Sequence, residues 1–264
     1  MLKYTPMRIA LGIEYNGHDY YGWQAQQQLP TIQGMLEFAL SKVANESITL
    51  FCAGRTDAGV HATGQVVHFD SHAKRNMKAW IEGTNSHLPN SIAVRWAEAV
   101  DNSFHARFSA LSRRYRYFIF NHPTRPALFN TQIAWHYYHL DVELMQQAAS
   151  YLIGEQDFSS FRSSQCMAKT AMRNVIDVSI AREAHIVQIT IEANAFLHHM
   201  VRNIAGTLIK IGSNLRPPEW MAEVLQAKDR TIAAETAPPQ GLYLTQVKYP
   251  SPYIFPADNS LILV

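Results

Sequence analysis

Sulfur chemistry has little to work with in this chain. Two cysteines, Cys52 and Cys166, occur in 264 residues, enough for one bridge at most. They are too few for a secreted disulfide framework or, by themselves, for a zinc site. Charge is sparse too: Asp, Glu, Lys and Arg make up 17% of the sequence and the formal net charge is +2. Bulk charge therefore permits a nucleic-acid partner without requiring one. No run approaches the roughly 18 consecutive apolar residues of a membrane span, and residues 1–8 contain no apolar stretch of signal-peptide length. These absences set the expectation of a cytoplasmic protein without a membrane association. What is present suits a packed interior: 47% hydrophobic residues, in a length sufficient for one large domain or two ordinary ones.

The hydrophobic pattern gives the same order of elements twice. Ile9, Leu11, Ile13 and Tyr15 alternate as a half-buried strand does. Thr31 can cap a helix with Ile32, Leu36, Ala39 and Val43 along one side. Strands are expected over 48–52 and 65–69, a weaker helix over 77–84 and a strand from 92 to 96. The second half begins with a strand over 114–120. Asp141 can cap a helix through Met145, Ala149 and Leu152, with Gly154 at its end. A strand pair over 173–181 and 186–193 precedes a strong helix from Leu197 to Gly212. A further helix over 218–227 and a strand over 242–247 close the chain. The order β-α-β-β-α-β, twice, predicts an α+β fold of two tandem ferredoxin-like (split β-α-β) lobes. Each lobe should be a mostly antiparallel sheet with helices on one face and the other face free to bind. The lobes are expected to span residues 1–106 and 107–264.

The segment Gly54-Arg55-Thr56-Asp57-Ala58-Gly59-Val60-His61 directly follows the strand expected at 48–52. Glycines on both sides let the chain turn tightly and present a carboxylate at a strand end. Such a carboxylate can act as nucleophile or base, with a nearby Arg holding it ionised. Local chemistry alone allows a plainer role, because an Asp between glycines commonly forms a turn by bonding its own backbone.

The match is longer than one loop. Gly54 through Phe69, read as GRTDAGVHATGQVVHF, resembles the signature of the TruA family of tRNA pseudouridine synthases. Ile13-Glu14-Tyr15-Asn16-Gly17 with Tyr21-Gly22-Trp23-Gln24 resembles that family's opening strand and loop. Phe104-His105-Ala106-Arg107-Phe108 and Arg113-Arg114-Tyr115-Arg116-Tyr117 resemble its central segment. Phe196 to Ile204 and Gly241-Leu242-Tyr243-Leu244 resemble its C-terminal motifs, and all fall in the family's order. The resemblance implies isomerisation of uridine to pseudouridine at positions 38 to 40 of the tRNA anticodon stem-loop, with no cofactor. It further implies Asp57 as the essential carboxylate, Tyr115 against the target base and Arg202 paired with Asp57. Arg55 would displace the base, and Leu242 or Leu244 would wall the uracil pocket. A homodimer and an RNA-binding cleft between the lobes are implied as well.

A uridine in a stem cannot be reached until it is flipped out, and aromatic and guanidinium groups suit that work. Arg107, Arg113, Arg114 and Arg116 fall within ten residues, interleaved with Phe108, Tyr115 and Tyr117. The pattern fits a phosphate-contacting strip or a solvated strand face equally, and the resemblance favours RNA. No metal is expected: His198 and His199 are placed side by side on a helix, where they could not face one ion, and no Cys-x-x-Cys pair occurs. Two alternatives stay open: an RNA-binding protein or chaperone on the same scaffold, and a pseudouridine synthase for another RNA.

Overall fold

The computed structural model describes residues 6–256. The chain divides into two compact units, one of residues up to Leu111 together with those from Leu244 on, the other Ser112–Tyr243. Sheets in both are mostly antiparallel, as the alternation predicts.

Unit one holds β1 (Met7–Tyr15), α1 (Ile32–Ala44), β2 (Phe51–Cys52), β3 (His61–Ser71), α2 (Met77–Asn85) and β4 (Ile92–Val100). β1 lies between β3 and β4, pairing Ile9 with Phe69 on one side and with Ala99 on the other. The alternating row Ile9, Leu11, Ile13 and Tyr15 is buried, as expected. Thr31 caps α1 by accepting from the Gly34 N–H at 3.3 Å. The strand expected over 48–52 shrinks to two residues. Ile48 gives its N–H to Ser41 Oγ and Leu50 gives its N–H to Glu37 Oε1, so α1 side chains take donors that a ladder would have used. Both residues are nonetheless buried.

One expectation for this unit is overturned. The second sheet face is not free, because Ala10 and Val66 on that face pack with Ala53, Phe104 and Ala106. Trp96, Val100, Val247, Tyr249, Tyr253 and Phe255 close over the same cluster. Burying those rings is worth more than leaving a bare sheet to solvent.

Unit two holds β5 (Ser112–Asn121), β6 (Ala134–His136), α3 (Val142–Ser150), β7 (Gly154–Asp157), β8 (Met172–Glu183), β9 (Ile186–Ala193), α4 (Met200–Gly212) and α5 (Trp220–Ala227). The strands run β5-β9-β8-β7, with β6 parallel to β5. Tyr117, Ile119, Val187, Ile189 and Ile191 are fully buried, as are Met145, Ala148, Ile204, Leu208 and Ile211 of the helices. Asp141 caps α3 through its carboxylate, which accepts from Glu143 and Leu144 N–H groups. The helix stops at Ser150, short of Leu152. Gly154, at φ +97°, opens β7 instead of ending α3, because its segment pairs with Val175. The last strand, β10 (Leu242–Lys248), runs from unit two into unit one. Among the described residues no helix is long and apolar enough to cross a membrane.

Candidate active site

Asp57 sits in the connection between β2 and β3, and the chain around it is tied down almost residue by residue. Gln65 donates its side-chain amide to the Gly54 carbonyl at 2.6 Å, and Ala53 N–H reaches Val66 O at 2.8 Å. Thr56 is buried; its carbonyl accepts from Trp23 N–H at 3.0 Å and its hydroxyl shares a hydrogen bond with Tyr15 OH at 2.8 Å. Val60 N–H returns to the Asp57 carbonyl at 3.2 Å, closing the turn. Gly22, at φ +89°, lies under this loop; a Cβ there would stand 2.9 Å from the Thr56 carbonyl. Only glycine takes that conformation without strain and leaves the approach open. The result is a half-buried Asp57 side chain on a fixed backbone, with Arg55 exposed two residues earlier. Fixed backbone is what a reacting carboxylate needs, since misplacement by about 1 Å can lower a rate roughly a hundredfold.

Tyr15, Gly22 and Trp23, which form this clamp, all lie within the opening motif, yet nothing in their spacing alone assigns them to the Asp57 turn. What signal there is lies in a strand-end Tyr followed by a Gly-Trp pair.

In unit two, Tyr115 is on β5, buried, with its ring edge-on to Phe196 at 5.0 Å and 81°. Tyr117, two residues on, is a core residue whose hydroxyl donates to the Pro238 carbonyl at 2.8 Å, and burial raises its pKa well above the phenolic range. Arg202 occupies the first turn of α4, half-buried. Its Nε donates to Ala237 O at 2.8 Å while Ala237 N–H donates to the Arg202 carbonyl at 3.1 Å. One turn later Gly206 lets the same segment lie against the helix, where a Cβ would run into the Glu235 carbonyl. A cation in the first turn opposes the helix dipole, so this placement of Arg202 is not explained by helix stability. Leu242 and Leu244 are both buried, Leu242 in unit two and Leu244 in unit one.

The four arginines do not form one uniform face. Arg107 is exposed in unit one, with its guanidinium carbon 5.5 Å from the Phe108 ring centre. Arg113 is buried and donates to the Asn194 carbonyl at 2.9 Å. Arg114 grips the buried Glu192 carboxylate through two nitrogens, at 3.0 and 2.6 Å, while Ser112 Oγ donates to the other carboxylate oxygen at 2.6 Å. Strand alternation sends Arg116 to the face of Arg114 and away from Arg113. Burial, and then the like charge of Arg114, lower the Arg116 pKa, although a guanidinium stays charged throughout the working pH range.

The histidine pair needs a correction. His198 and His199 precede α4 instead of riding on it, and His199 takes the cap position at φ +64°. Their rings lie 4.0 Å apart between centres, so helix geometry is no reason against a shared ligand. The turn is held by His198 N–H on Cys166 Sγ and by Ser163 N–H on the His198 carbonyl. Another pair, His68 and His72, stands four residues apart, but β3 ends between them at Ser71, and His68 turns Nδ1 to the Ala106 N–H at 3.1 Å.

Against known proteins, residues 12–109 and 148–250 match the family described as tRNA pseudouridine synthase. A protein of Histophilus somni named tRNA pseudouridine synthase A is 57% identical over 252 residues, 96% of this chain and 94% of that one. One of the same name from Shewanella sp. (strain MR-4) is 58% identical over 250 residues, 95% of this chain and 96% of that one. Among solved structures, one described as a Cbf5-Nop10-Gar1 complex aligns over 89% of this chain and 57% of that chain. Its TM-score is 0.37 and its identity 11%, a likeness too distant to bear on the reaction.

Proposed function

The chain belongs to the tRNA pseudouridine synthase family, and on that premise we propose that it isomerises uridine to pseudouridine at positions 38, 39 and 40 of the tRNA anticodon stem-loop. Asp57 is the reacting carboxylate. The N1–C1′ bond breaks, the uracil turns, C5 joins C1′, and the C5 proton leaves as N1 gains one. Atoms and electrons balance within the nucleotide, so the chemistry asks for no redox partner or group donor. The carboxylate can serve as nucleophile or as base. Tyr115 and Arg202 contribute an aromatic surface and a cation from unit two, Arg55 takes the place of the flipped base, and Leu242 or Leu244 offers an apolar wall to the uracil. Of the arginine strip, exposed Arg107 meets the RNA backbone in this reading, while Arg113 and Arg114 are engaged with Asn194 and Glu192. The working form is a homodimer in the cytoplasm.

The observation that carries the reading is the Asp57 turn: a carboxylate between two glycines, half-buried, on a backbone fixed by Tyr15, Trp23 and Gln65. Tritium release from tRNA labelled at C5 of uridine tests it. Asp57→Asn should abolish release while the variant still folds and binds tRNA, because Asn keeps the shape and loses the charge. Turnover within tenfold of wild type, about 1.4 kcal/mol in the barrier, overturns the assignment. Mapping pseudouridine in tRNA from a deletion strain tests the positions; unmodified 38–40 in that strain is the expected result. A full complement there would move the activity to another RNA.

A further inference from the structure

Unit one carries a row of aromatic rings whose two ends, Phe51 and Phe108, neither the Asp57 clamp nor the packed interior accounts for. Phe51 faces His68 across the β2–β3 ladder, and the rings stack at 5.1 Å and 22°. His68 meets His105 at 4.6 Å, and His105 meets Phe108 at 4.4 Å and 34°. The middle of the row is fixed. His68 Nδ1 accepts from Ala106 N–H, and His105 Nδ1 accepts from the N–H groups of Arg107 and Phe108 at 3.1 and 3.3 Å. With Nδ1 held as an acceptor, each imidazole is a neutral plate; burial lowers both pKa values, that of His68 to about 4. The ends of the row are open: Phe51 is 48% exposed and Phe108 76%.

Position gives the row its meaning. Phe51 begins the strand that leads into the Asp57 turn. At the other end of the row the Arg107 guanidinium carbon lies 5.5 Å from the Phe108 ring centre. Exposed phenylalanine rings beside a guanidinium offer what an unpaired nucleotide takes: a π face for the base and a cation for its phosphate. Four rings match one or two nucleotides, well short of the ~800 Å² a protein partner usually covers on each side.

We propose that Phe51 and Phe108, with Arg107 at their rim, form a stacking site for an unpaired base of the RNA substrate next to the reacting uridine. The site rests on the tRNA reading above, and it adds a contact that holds the substrate before chemistry. Phe108 is the primary probe because its side chain is mostly in solvent, so its removal leaves the packing in place. Phe108→Ala should weaken binding of an in vitro transcribed tRNA about five- to a hundredfold, with the salt dependence unchanged, since stacking releases no counterions. Phe51→Ala should act in the same direction, and Arg107→Gln should instead flatten the log–log salt slope by somewhat under one unit. Phe108→Trp should restore affinity, and its added emission, read as a difference from wild type, should be quenched by saturating transcript. Binding within twofold of wild type for both alanine variants, or an unquenched difference signal in Phe108→Trp, overturns the stacking site. Failure of the tRNA reading looks different: wild type releases no tritium, while the quenching measurement, which needs no turnover, still decides the site.

Discussion

Arg114 donates to Glu192 through Nε at 3.0 Å and Nη2 at 2.6 Å, and the Glu192 side chain is 3% exposed against 27% for the arginine. In Arg114→Ala the carboxylate loses the two charge-assisted hydrogen bonds from Arg114, while the one from Ser112 Oγ is untouched. Removing one partner of a buried pair costs about 3–5 kcal/mol, because the other charge is left buried. Water can reach the space left by a partly exposed arginine, so the loss falls below that range, roughly 2–3 kcal/mol. For a chain of this size that is on the order of 5–10 °C in the melting temperature. Glu192→Gln in the Arg114→Ala background removes the carboxylate charge that Arg114 balanced and should return about half of the loss.

The same substitution tests the phosphate role, because the two roles leave different traces. A structural Arg114 gives a large stability loss in urea, followed by both fluorescence and circular dichroism since two units need not unfold together, and a small change in salt slope. A phosphate-binding Arg114 gives the reverse. A stability loss under about 0.5 kcal/mol, with the log–log slope flattened by nearly one unit, would refute the argument from Glu192.

Gly22→Ala should lower kcat at least tenfold with a smaller effect on tRNA affinity, because φ +89° is strained for alanine and the new Cβ presses on the Thr56 carbonyl beside Asp57; an unchanged kcat would show that the clamp is not needed. The pH dependence of folding should carry a contribution from His68, whose pKa falls from the ordinary 6.5 to about 4 through burial and the nearby charge of His105 and Arg8. The unfolded chain then binds the proton more readily. The contribution is therefore complete above about pH 6.5 and is lost as pH falls towards 4, up to about 3 kcal/mol in all. His68→Asn, which keeps an acceptor for Ala106, should flatten the stability curve over that window; an identical slope in urea titrations would refute the assignment.

Periodicity carried the fold where burial is one-sided. The rows Ile9-Leu11-Ile13-Tyr15 and Tyr115-Tyr117-Ile119 alternate in the sequence and are buried in the structure. It failed where a segment's hydrogen bonds go to distant partners. Leu50 is as apolar as any strand residue, yet its N–H belongs to Glu37, thirteen residues back on α1. β6 is three residues long and exists through its pairing with Ile119–Asn121, for which its own sequence has no sign. The covered face of unit one's sheet was hidden for the same reason. Tyr249, Tyr253 and Phe255 follow the last strand in a segment with no regular period, and only the folded chain returns them to Phe104.

The site divides along a similar line. Asp57 and its glycines could be read because a turn is local chemistry, written in five or six consecutive residues. Charge partners could not be, and the arginines show why. Arg107, Arg113, Arg114 and Arg116 look equivalent as letters, and what separates them is the other end of each hydrogen bond. For Arg113 and Arg114 those ends are Asn194 and Glu192, about 80 residues away and brought opposite by the β5–β9 register of Arg113 with Ala193 and Arg114 with Glu192. Arg202 is the opposite case, since its position in the chain already opposes a structural explanation. It stands in a first helical turn with no acidic neighbour there, where a cation is disfavoured by the dipole, on a side chain partly withdrawn from water. Nε is anchored to the Ala237 carbonyl, so the guanidinium is oriented before any substrate arrives. An arginine set against its own helix and then held still fits the proposed role of pairing with an anion, and preorganising it in the free protein would reduce the ordering cost of that pairing.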